Sequence, residues 1–284
     1  MHDNLAIDVH FARLMCDLGA TRDPAIYQLF AQLSQALRQQ HSCIDLAQRD
    51  DTAALVAKLL TLPCVGQPDN GQWAAGAQAS PLVLEHNKLY LQRYYQYEYR
   101  IATQLISRNQ PMPLTEPPIL RQLMTDQFGD NPTTVNWQAV ATLQALTRRL
   151  TVITGGPGTG KTTTVLKLLQ AFAALPGNEH AIVKLAAPTG KAAMRLNQGL
   201  RQAQGSDKLA VEVQTLHRLL GMRMDGRSWR HDAQHPLTVD LLIVDEVSMV
   251  DLAMMDRLLR ALPTHCQLVL LGDPDQLPSV ETGN

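Results

Sequence analysis

Nine consecutive residues, Gly155-Gly156-Pro157-Gly158-Thr159-Gly160-Lys161-Thr162-Thr163, have the types and spacing to hold a polyphosphate. Their glycines let backbone N–H groups turn inward around phosphate oxygens, and a helix opening at the end of the run adds its positive terminus. The Lys161 ammonium reaches the β and γ phosphates in such a loop. The Thr162 hydroxyl is placed to ligate Mg²⁺. The pattern G-x-x-x-x-G-K-[ST] carries this meaning only between a strand and a helix. Leu150–Thr154 is a short apolar run, and residues 160–174 read as a helix, so the context is correct.

A second segment completes such a site. Leu241-Leu242-Ile243-Val244 ends in Asp245-Glu246. Four apolar residues followed by two acids describe a central strand that delivers carboxylates to its C-terminal edge. Asp245 is expected to hold Mg²⁺, directly or through water, and Glu246 to orient and deprotonate an attacking water. The phosphate loop and this acidic pair are expected to meet across neighbouring strand ends. Leu271-Gly272-Asp273-Pro274-Asp275-Gln276 closes another strand. If that strand flanks the loop strand, the Gln276 amide stands near the γ-phosphate; the same Gly, Asp and Pro also suit a plain turn.

Two further turns offer anion sites. Ala187-Pro188-Thr189-Gly190-Lys191 ends a strand and starts a helix, whose N-terminus and Lys191 suit a nucleic-acid phosphate. Thr189 as an N-cap needs no ligand, and the two readings are compatible. Thr215 caps a short helix in the same way, and Thr215 or His217 is within reach of a strand, although a lone histidine is more often structural. Trp137 and Gln138 lie upstream of the loop and can bracket an adenine by packing and amide hydrogen bonds.

These residues require a scaffold. Apolar strands at Leu150–Thr154, Ile182–Ala187, Leu241–Asp245 and Gln267–Gly272 alternate with helical stretches at 160–174, 190–204 and 251–262. That alternation implies an α/β fold with a parallel sheet covered on both faces. The region before it differs. Residues 1 to about 62 read as helices, with Ile26, Leu29, Phe30, Leu33 and Leu37 on one face and a second helix over Thr52–Leu60 capped by Asp50 or Asp51. Leu82–Leu84 and Leu89–Leu91 suggest a hairpin turning at Asn87. Tyr90, Tyr94, Tyr95, Tyr97 and Tyr99 follow closely. They form a base-stacking platform or a packing seam, and the scarcity of interleaved basic residues favours the seam. The proline-rich stretch 109–118 reads as a linker. The expected domains are 1–110, mostly helical, then connecting helices over 111–134, then the α/β domain over 135–284.

Composition bounds the rest. The chain has 284 residues, 45% hydrophobic and 18% charged, with a net charge of −1. Charge therefore announces no nucleic acid, although a motor with local contacts need not be basic overall. No apolar run approaches the ~20 residues of a membrane span, and the N-terminus lacks the basic start of a secretory signal. A cytoplasmic protein without membrane contact is expected. Cys16, Cys43, Cys64 and Cys266 form no CxxC pair, so reduced thiols are expected rather than zinc.

Taken in order, ITGGPGTGKTTT, LAAPTGKAAMRL, TLHRLLG, LLIVDEVSMVDLAMMDRLL and LGDPDQLPSVETG resemble the superfamily 1 helicases of the 5′-to-3′ branch. Among these the resemblance is to the RecD subunits of exodeoxyribonuclease V, RecBCD. IDVHFARLM and LYLQRYYQYE are similar to the N-terminal domain of those subunits. The resemblance implies a RecA-like P-loop NTPase sheet behind a smaller, mostly helical domain. It also implies an ATP- and Mg²⁺-dependent DNA helicase subunit of double-strand-break repair and recombination. Gln138 matches an adenine-reading glutamine, and Gln276 a γ-phosphate sensor. Thr189, Gly190, Lys191, Thr215 and His217 fall in segments that line the path of single-stranded DNA. Residues 1–110 would dock on RecC in a heterotrimer with RecB, which carries the nuclease; no nuclease motif is recognisable here. The resemblance stops at Asn284, where the family continues with a second motor domain bearing an arginine for the transition-state charge. A RecD shortened after its first motor domain, nearly inactive as a motor by itself, is therefore expected. Rival readings are a motor-inactive partner-binding module and a RecD-like helicase outside RecBCD. A clamp-loader or initiator ATPase is disfavoured by LGDPDQLP and APTGKAA.

Overall fold

The computed structural model describes residues 5–68, 71, 79–112, 117–129, 134–156, 158–203, 211, 213–226, 228–273, 275 and 282. The chain divides into two compact units. One comprises Met1–Ala102 with Asp251–Asp256 and Pro278–Asn284, and the other Thr103–Val250 with Arg257–Leu277.

The first unit opens with helices α1 (Ala6–Leu18) and α2 (Pro24–Arg38). Pro24 stands at the first helical position, where its missing N–H costs nothing, and the Asp23 carboxylate caps the helix through the Ala25 N–H at 2.8 Å. Strand β1 (Cys43–Asp45), helix α3 (Thr52–Leu60) and strand β2 (Val65–Gly66) follow. The hairpin is present as β3 (Leu82–Glu85) and β4 (Lys88–Leu91). Its two turn residues, His86 and Asn87, both have positive φ, 49° and 60°, which matches the twist of a two-residue hairpin loop. The sheet order is β1-β4-β3-β2, with β2 parallel to β3 and the other pairs antiparallel.

So the leading region is not only helical. β1 and β2 are two or three residues long and take their extended form from pairing, which no periodicity announces. Asp51 does stand before α3, but its side chain makes no capping bond; the Thr52 hydroxyl bonds back to the Arg49 carbonyl at 2.6 Å instead. The core of this unit gathers Phe30, Leu33, Leu46, Leu59, Leu84 and Leu89, all at most 1% exposed.

Tyr90, Tyr95 and Tyr99 form a packing seam, while Tyr94 and Tyr97 lie outside it with the Arg93 and Arg100 guanidinium groups over their rings. Tyr90 and Tyr95 are buried and meet edge to face at 5.6 Å, with Val83 and Cys43 packed against them. Burial raises both phenols above their ordinary value of 10. Helix α4 (Gln92–Arg108) carries Tyr94, Tyr95, Tyr97 and Tyr99.

The second unit contains α5 (Pro117–Phe128), α6 (Trp137–Thr147), β5 (Leu150–Thr154), α7 (Lys161–Ala174), β6 (Val183–Ala187), α8 (Gly190–Ala203), β7 (Val213–Thr215), α9 (Leu216–Leu219), β8 (Leu241–Val244), α10 (Leu252–Ala261) and β9 (Gln267–Gly272). The sheet is wholly parallel, in the order β5-β9-β8-β6-β7. The α/β class with a parallel sheet holds as the sequence suggests. β7, three residues long, is an addition to the four strands expected.

Leu241, Leu242, Ile243 and Val244 are fully buried, as a central strand covered on both faces requires. Arg108 is buried as well and donates to the carbonyls of Cys266, Leu262 and Pro263 at 3.2, 3.0 and 3.1 Å. Cys16, Cys43, Cys64 and Cys266 are all free thiols. Among the described residues no helix is long and apolar enough to cross a membrane.

Candidate functional site

The parallel sheet sends every strand's carboxyl end to one edge, and the residues with chemistry collect there. After β5 the chain enters the phosphate loop. Gly158 and Gly160 have φ of +77° and +85°, a region costly for any residue with a Cβ. This is the physical reason for glycine at both places. Gly160 then accepts the first bond of α7, from the Thr164 N–H at 2.9 Å. Thr159 Oγ1 donates to the Gly156 carbonyl at 2.9 Å and ties the loop across its width. Lys161 Nζ donates to the Gly155 carbonyl and, at 3.0 Å, to that of Gly156. Its ammonium thus lies folded over the loop whose phosphate it is suited to bind. Pro157 lies outside the described residues. Thr162 and Thr163 open α7 in its first turn.

Gln138 stands on the first turn of α6, whose cap is Asn136: the Asn136 Oδ1 accepts from the Gln138 and Ala139 N–H groups, each at 3.1 Å. From there Gln138 Nε2 reaches the Thr159 carbonyl at 3.4 Å. Trp137 precedes it and so points about 100° away around the helix. Trp137 is 74% exposed and lines a separate cleft floored by Val152 and Thr154. The structure brings Gln138, but not Trp137, onto the loop itself.

The acidic pair follows β8. The Asp245 N–H donates to the Ala186 carbonyl at 2.9 Å, continuing the ladder to β6. The Asp245 carboxylate accepts from the Glu246 N–H at 2.9 Å. Burial pushes this carboxyl above its ordinary range, against the opposing pulls of that N–H and of the Lys161 charge. Glu246 sits in the left-handed region with φ 53° and ψ 43°, directly before a 3₁₀ turn over Val247–Met249.

One expectation needs correction. The loop strand β5 and the acidic strand β8 are not neighbours, because β9 lies between them. Two strand spacings are about 9.6 Å. The Lys161 charge is nevertheless within electrostatic reach of Asp245. β9 does flank the loop strand, with Gly272 in register with Thr154. Beyond it Asp273 is buried and accepts from the Asp275 N–H at 3.1 Å. Gln276 lies outside the described residues. Thr162 and Asp245 offer hard oxygen donors, one a desolvated carboxylate whose charged form a cation would favour, so the donor chemistry fits Mg²⁺.

The other half of the edge carries the two capped turns. Ala187 at the end of β6 is in register with Thr215 at the end of β7. Thr189 Oγ1 accepts from the Ala192 N–H at 3.2 Å, and Thr215 Oγ1 from the Arg218 N–H at 3.2 Å. Gly190 and Lys191 are exposed at the start of α8. His217 is exposed too, and its ring lies 5.7 Å from that of Trp229, over which the Arg257 guanidinium sits at 4.4 Å. Trp229 belongs to none of the motifs, and Arg257 falls within LLIVDEVSMVDLAMMDRLL without a role assigned to it there. The available signal was a tryptophan flanked by Arg227 and Arg230 in the segment GRSWRH.

Comparison with known proteins agrees with this arrangement. The family model "AAA domain" matches residues 137–282. The model "RecBCD enzyme subunit RecD, N-terminal domain" matches residues 5–90. The chain is 38% identical to "RecBCD enzyme subunit RecD" of Mycolicibacterium smegmatis over 97% of its own length and 50% of the relative's. It is 37% identical to the protein of that name from Mycobacterium tuberculosis, over 97% of this chain and 48% of the relative. It is 44% identical to "ATP-dependent RecD2 DNA helicase" of Deinococcus radiodurans, over 51% of this chain and 18% of the relative. The chain spans about half the length of the RecD relatives it matches so fully. With a RecD N-terminal domain followed by the phosphate loop, the buried acid and the capped turns of one sheet edge, the chain belongs to the AAA-domain family and, within it, to the RecD-like proteins.

Proposed function

We propose that the chain is the ATP-hydrolysing first motor domain, with its N-terminal domain, of a 5′-to-3′ DNA helicase subunit. One observation carries this reading: a single sheet edge holds a phosphate loop at one end and two capped strand-to-helix turns at the other, with the desolvated Asp245 between them. Residues 135–284 form the motor domain and 111–134 its connection to residues 1–110.

ATP is the substrate. Residues Gly155 to Thr163 hold its phosphates, Lys161 exchanging loop carbonyls for phosphate oxygens, and Gln138 reads the adenine. Thr162 and Asp245 hold Mg²⁺, which when bound offsets charge on the phosphate oxygens. Glu246 orients the attacking water and takes its proton; Gln276 senses the γ-phosphate. Thr189, Gly190, Lys191, Thr215 and His217 touch the single strand. The test is binding of a fluorescent ATP analogue and of labelled single-stranded DNA by the purified chain. Nucleotide affinity in the micromolar range that Lys161→Gln removes supports the reading; unchanged affinity in that variant sinks it.

The finer assignment is to a RecBCD complex acting on DNA ends in break repair, in the cytoplasm, with residues 1–110 docking on RecC. It is supported by the match of residues 5–90 to the RecD N-terminal domain and by an apolar stripe on α1, where Ile7, Leu14 and Leu18 are 60%, 54% and 50% exposed. A pull-down of RecC by the chain tests it, and absence of capture at micromolar concentrations removes it.

A further inference from the structure

Gly199 lies on α8, nine residues beyond the turn at Gly190, and belongs to none of the segments above. It faces the first turn of α7. A Cβ built on Gly199 would stand 2.8 Å from Thr162 Cγ2, 3.6 Å from Thr162 Oγ1 and 3.7 Å from Thr162 Cβ. The first distance is shorter than side-chain carbons tolerate, and the other two are ordinary contacts. The methyl of Thr162 therefore occupies the space that glycine leaves open. Threonine in a helix divides between two χ1 rotamers. Any Cβ at position 199 would press on the methyl, and the cheapest relief is rotation about χ1. That rotation carries the hydroxyl away with it, because methyl and hydroxyl share one carbon.

We infer that Gly199 is a positioning residue for the Mg²⁺ site: by leaving room for the Thr162 methyl, it fixes the direction in which the Thr162 hydroxyl points. This rests on the reading of Thr162 as a metal ligand. The effect runs through shape alone, since glycine has no side chain with which to bond. It also explains why a conformationally costly residue stands inside a helix at a place where its φ is not positive and an alanine would suit the backbone better.

The contact supplies its own test, because serine satisfies the G-K-[ST] pattern but lacks the methyl. The readout is the Mg²⁺ concentration that half-tightens binding of a fluorescent ADP analogue to the full chain, with affinity in EDTA as reference. Gly199→Ala should raise that concentration about ten-fold, the scale of a lost supporting contact at a metal ligand. Affinity in EDTA should hold within about two-fold, which a merely structural lesion would not spare. In the Thr162→Ser background, adding Gly199→Ala should change the Mg²⁺ midpoint by less than about two-fold. Equal effects of Gly199→Ala in both backgrounds, or no effect in the first, overturn the inference. If Gly199→Ala alone fails to fold, restoration of the thermal transition by Thr162→Ser supports the same contact, and failure to restore it overturns it. Thr162→Val separates the two readings. If it leaves the Mg²⁺ midpoint unmoved, Thr162 is no ligand and both fall. If it moves the midpoint while Gly199→Ala does not, only the role of Gly199 falls.

Discussion

Gln138 and Gly160 compete for the same space: the Gln138 amide nitrogen lies where a Cβ on Gly160 would stand, while donating to the Thr159 carbonyl at 3.4 Å. Gly160 also has φ +85°. Gly160→Ala therefore suffers twice. The left-handed conformation costs about 1–2 kcal/mol for alanine, and the glutamine must leave the loop. The expected result is a nucleotide affinity lower by about ten-fold or more, measured with a fluorescent analogue. Gln138→Ala should weaken adenine nucleotides while sparing inorganic triphosphate, and equal losses for both would remove the adenine-reading role.

Lys161 and Glu246 should separate binding from turnover. Lys161→Gln removes charge-assisted bonds of about 1.5–3 kcal/mol each, so nucleotide affinity should drop about 100-fold. Glu246→Gln should keep affinity within about three-fold while steady-state hydrolysis by the complete helicase falls about 10²–10⁴-fold, the range for a lost general base. A parallel fall of binding and turnover would make Glu246 structural.

The first unit contains a buried carboxylate whose titration is readable. Asp8 is fully buried, accepts from Ser34 Oγ at 2.7 Å and from Arg38 Nε at 3.1 Å, and receives the Leu5 N–H at 3.0 Å. The Arg38 guanidinium foremost, with Ser34 and Leu5, holds this carboxyl below its ordinary 3.8 in spite of burial. A carboxylate lowered by folding stabilises fully above its unfolded pKa and loses that contribution as pH falls through the folded one. The melting temperature should thus be insensitive to this pair above about pH 5 and decline on acidification below the ordinary value of 3.8. Asp8→Ala should cost about 2–4 kcal/mol at pH 7, since it strands Arg38 and Ser34. The variant should also show a shallower acid decline in calorimetry; an equally steep one would place the acid sensitivity elsewhere.

Arg108 permits a sharper stability test. Its guanidinium satisfies three carbonyls from within the protein, and burial depresses its pKa. Arg108→Lys cannot reproduce a planar fork. Lysine should therefore rescue little of the roughly 2–4 kcal/mol lost in Arg108→Ala, as read from denaturant midpoints. Full rescue by lysine would mean that charge, not geometry, matters there.

Leu14→Asp adds a charge to the exposed stripe of α1 without touching the core. It should leave the melting temperature within about 2 °C, as surface changes do, while abolishing capture of RecC. Retained capture would move the docking face off α1.

Much of this molecule was legible in its residues. Gln267–Gly272 is a strand with the bounds its apolar run suggests, and the helices expected over 160–174 and 190–204 are α7 and α8 within a residue. Long apolar or periodic runs carry their structure locally. Strand order does not: nothing in Leu150–Thr154 or Leu241–Val244 tells that β9 lies between them, because side chains specify burial and not which neighbour supplies it. β1 and β7 were hidden for a related reason, since three residues hold no period and become extended only by pairing. In the site, the loop was visible because its backbone dictates glycine, and the acidic pair because its chemistry asks for carboxylates at the end of an apolar strand. Gly199 was not, because its reason for being glycine lies on another helix, 37 positions earlier in the chain at Thr162.

Glu246 holds a backbone conformation that glycine would adopt freely, φ 53° and ψ 43°. A chain tuned for heat tolerance alone would place glycine or asparagine at 246, and gain up to about 1 kcal/mol from the relaxed dihedrals. With Glu246 in the role of base proposed above, thermal hardening and turnover pull this position in opposite directions. Libraries screened only for survival at high temperature should enrich substitutions here that silence the enzyme.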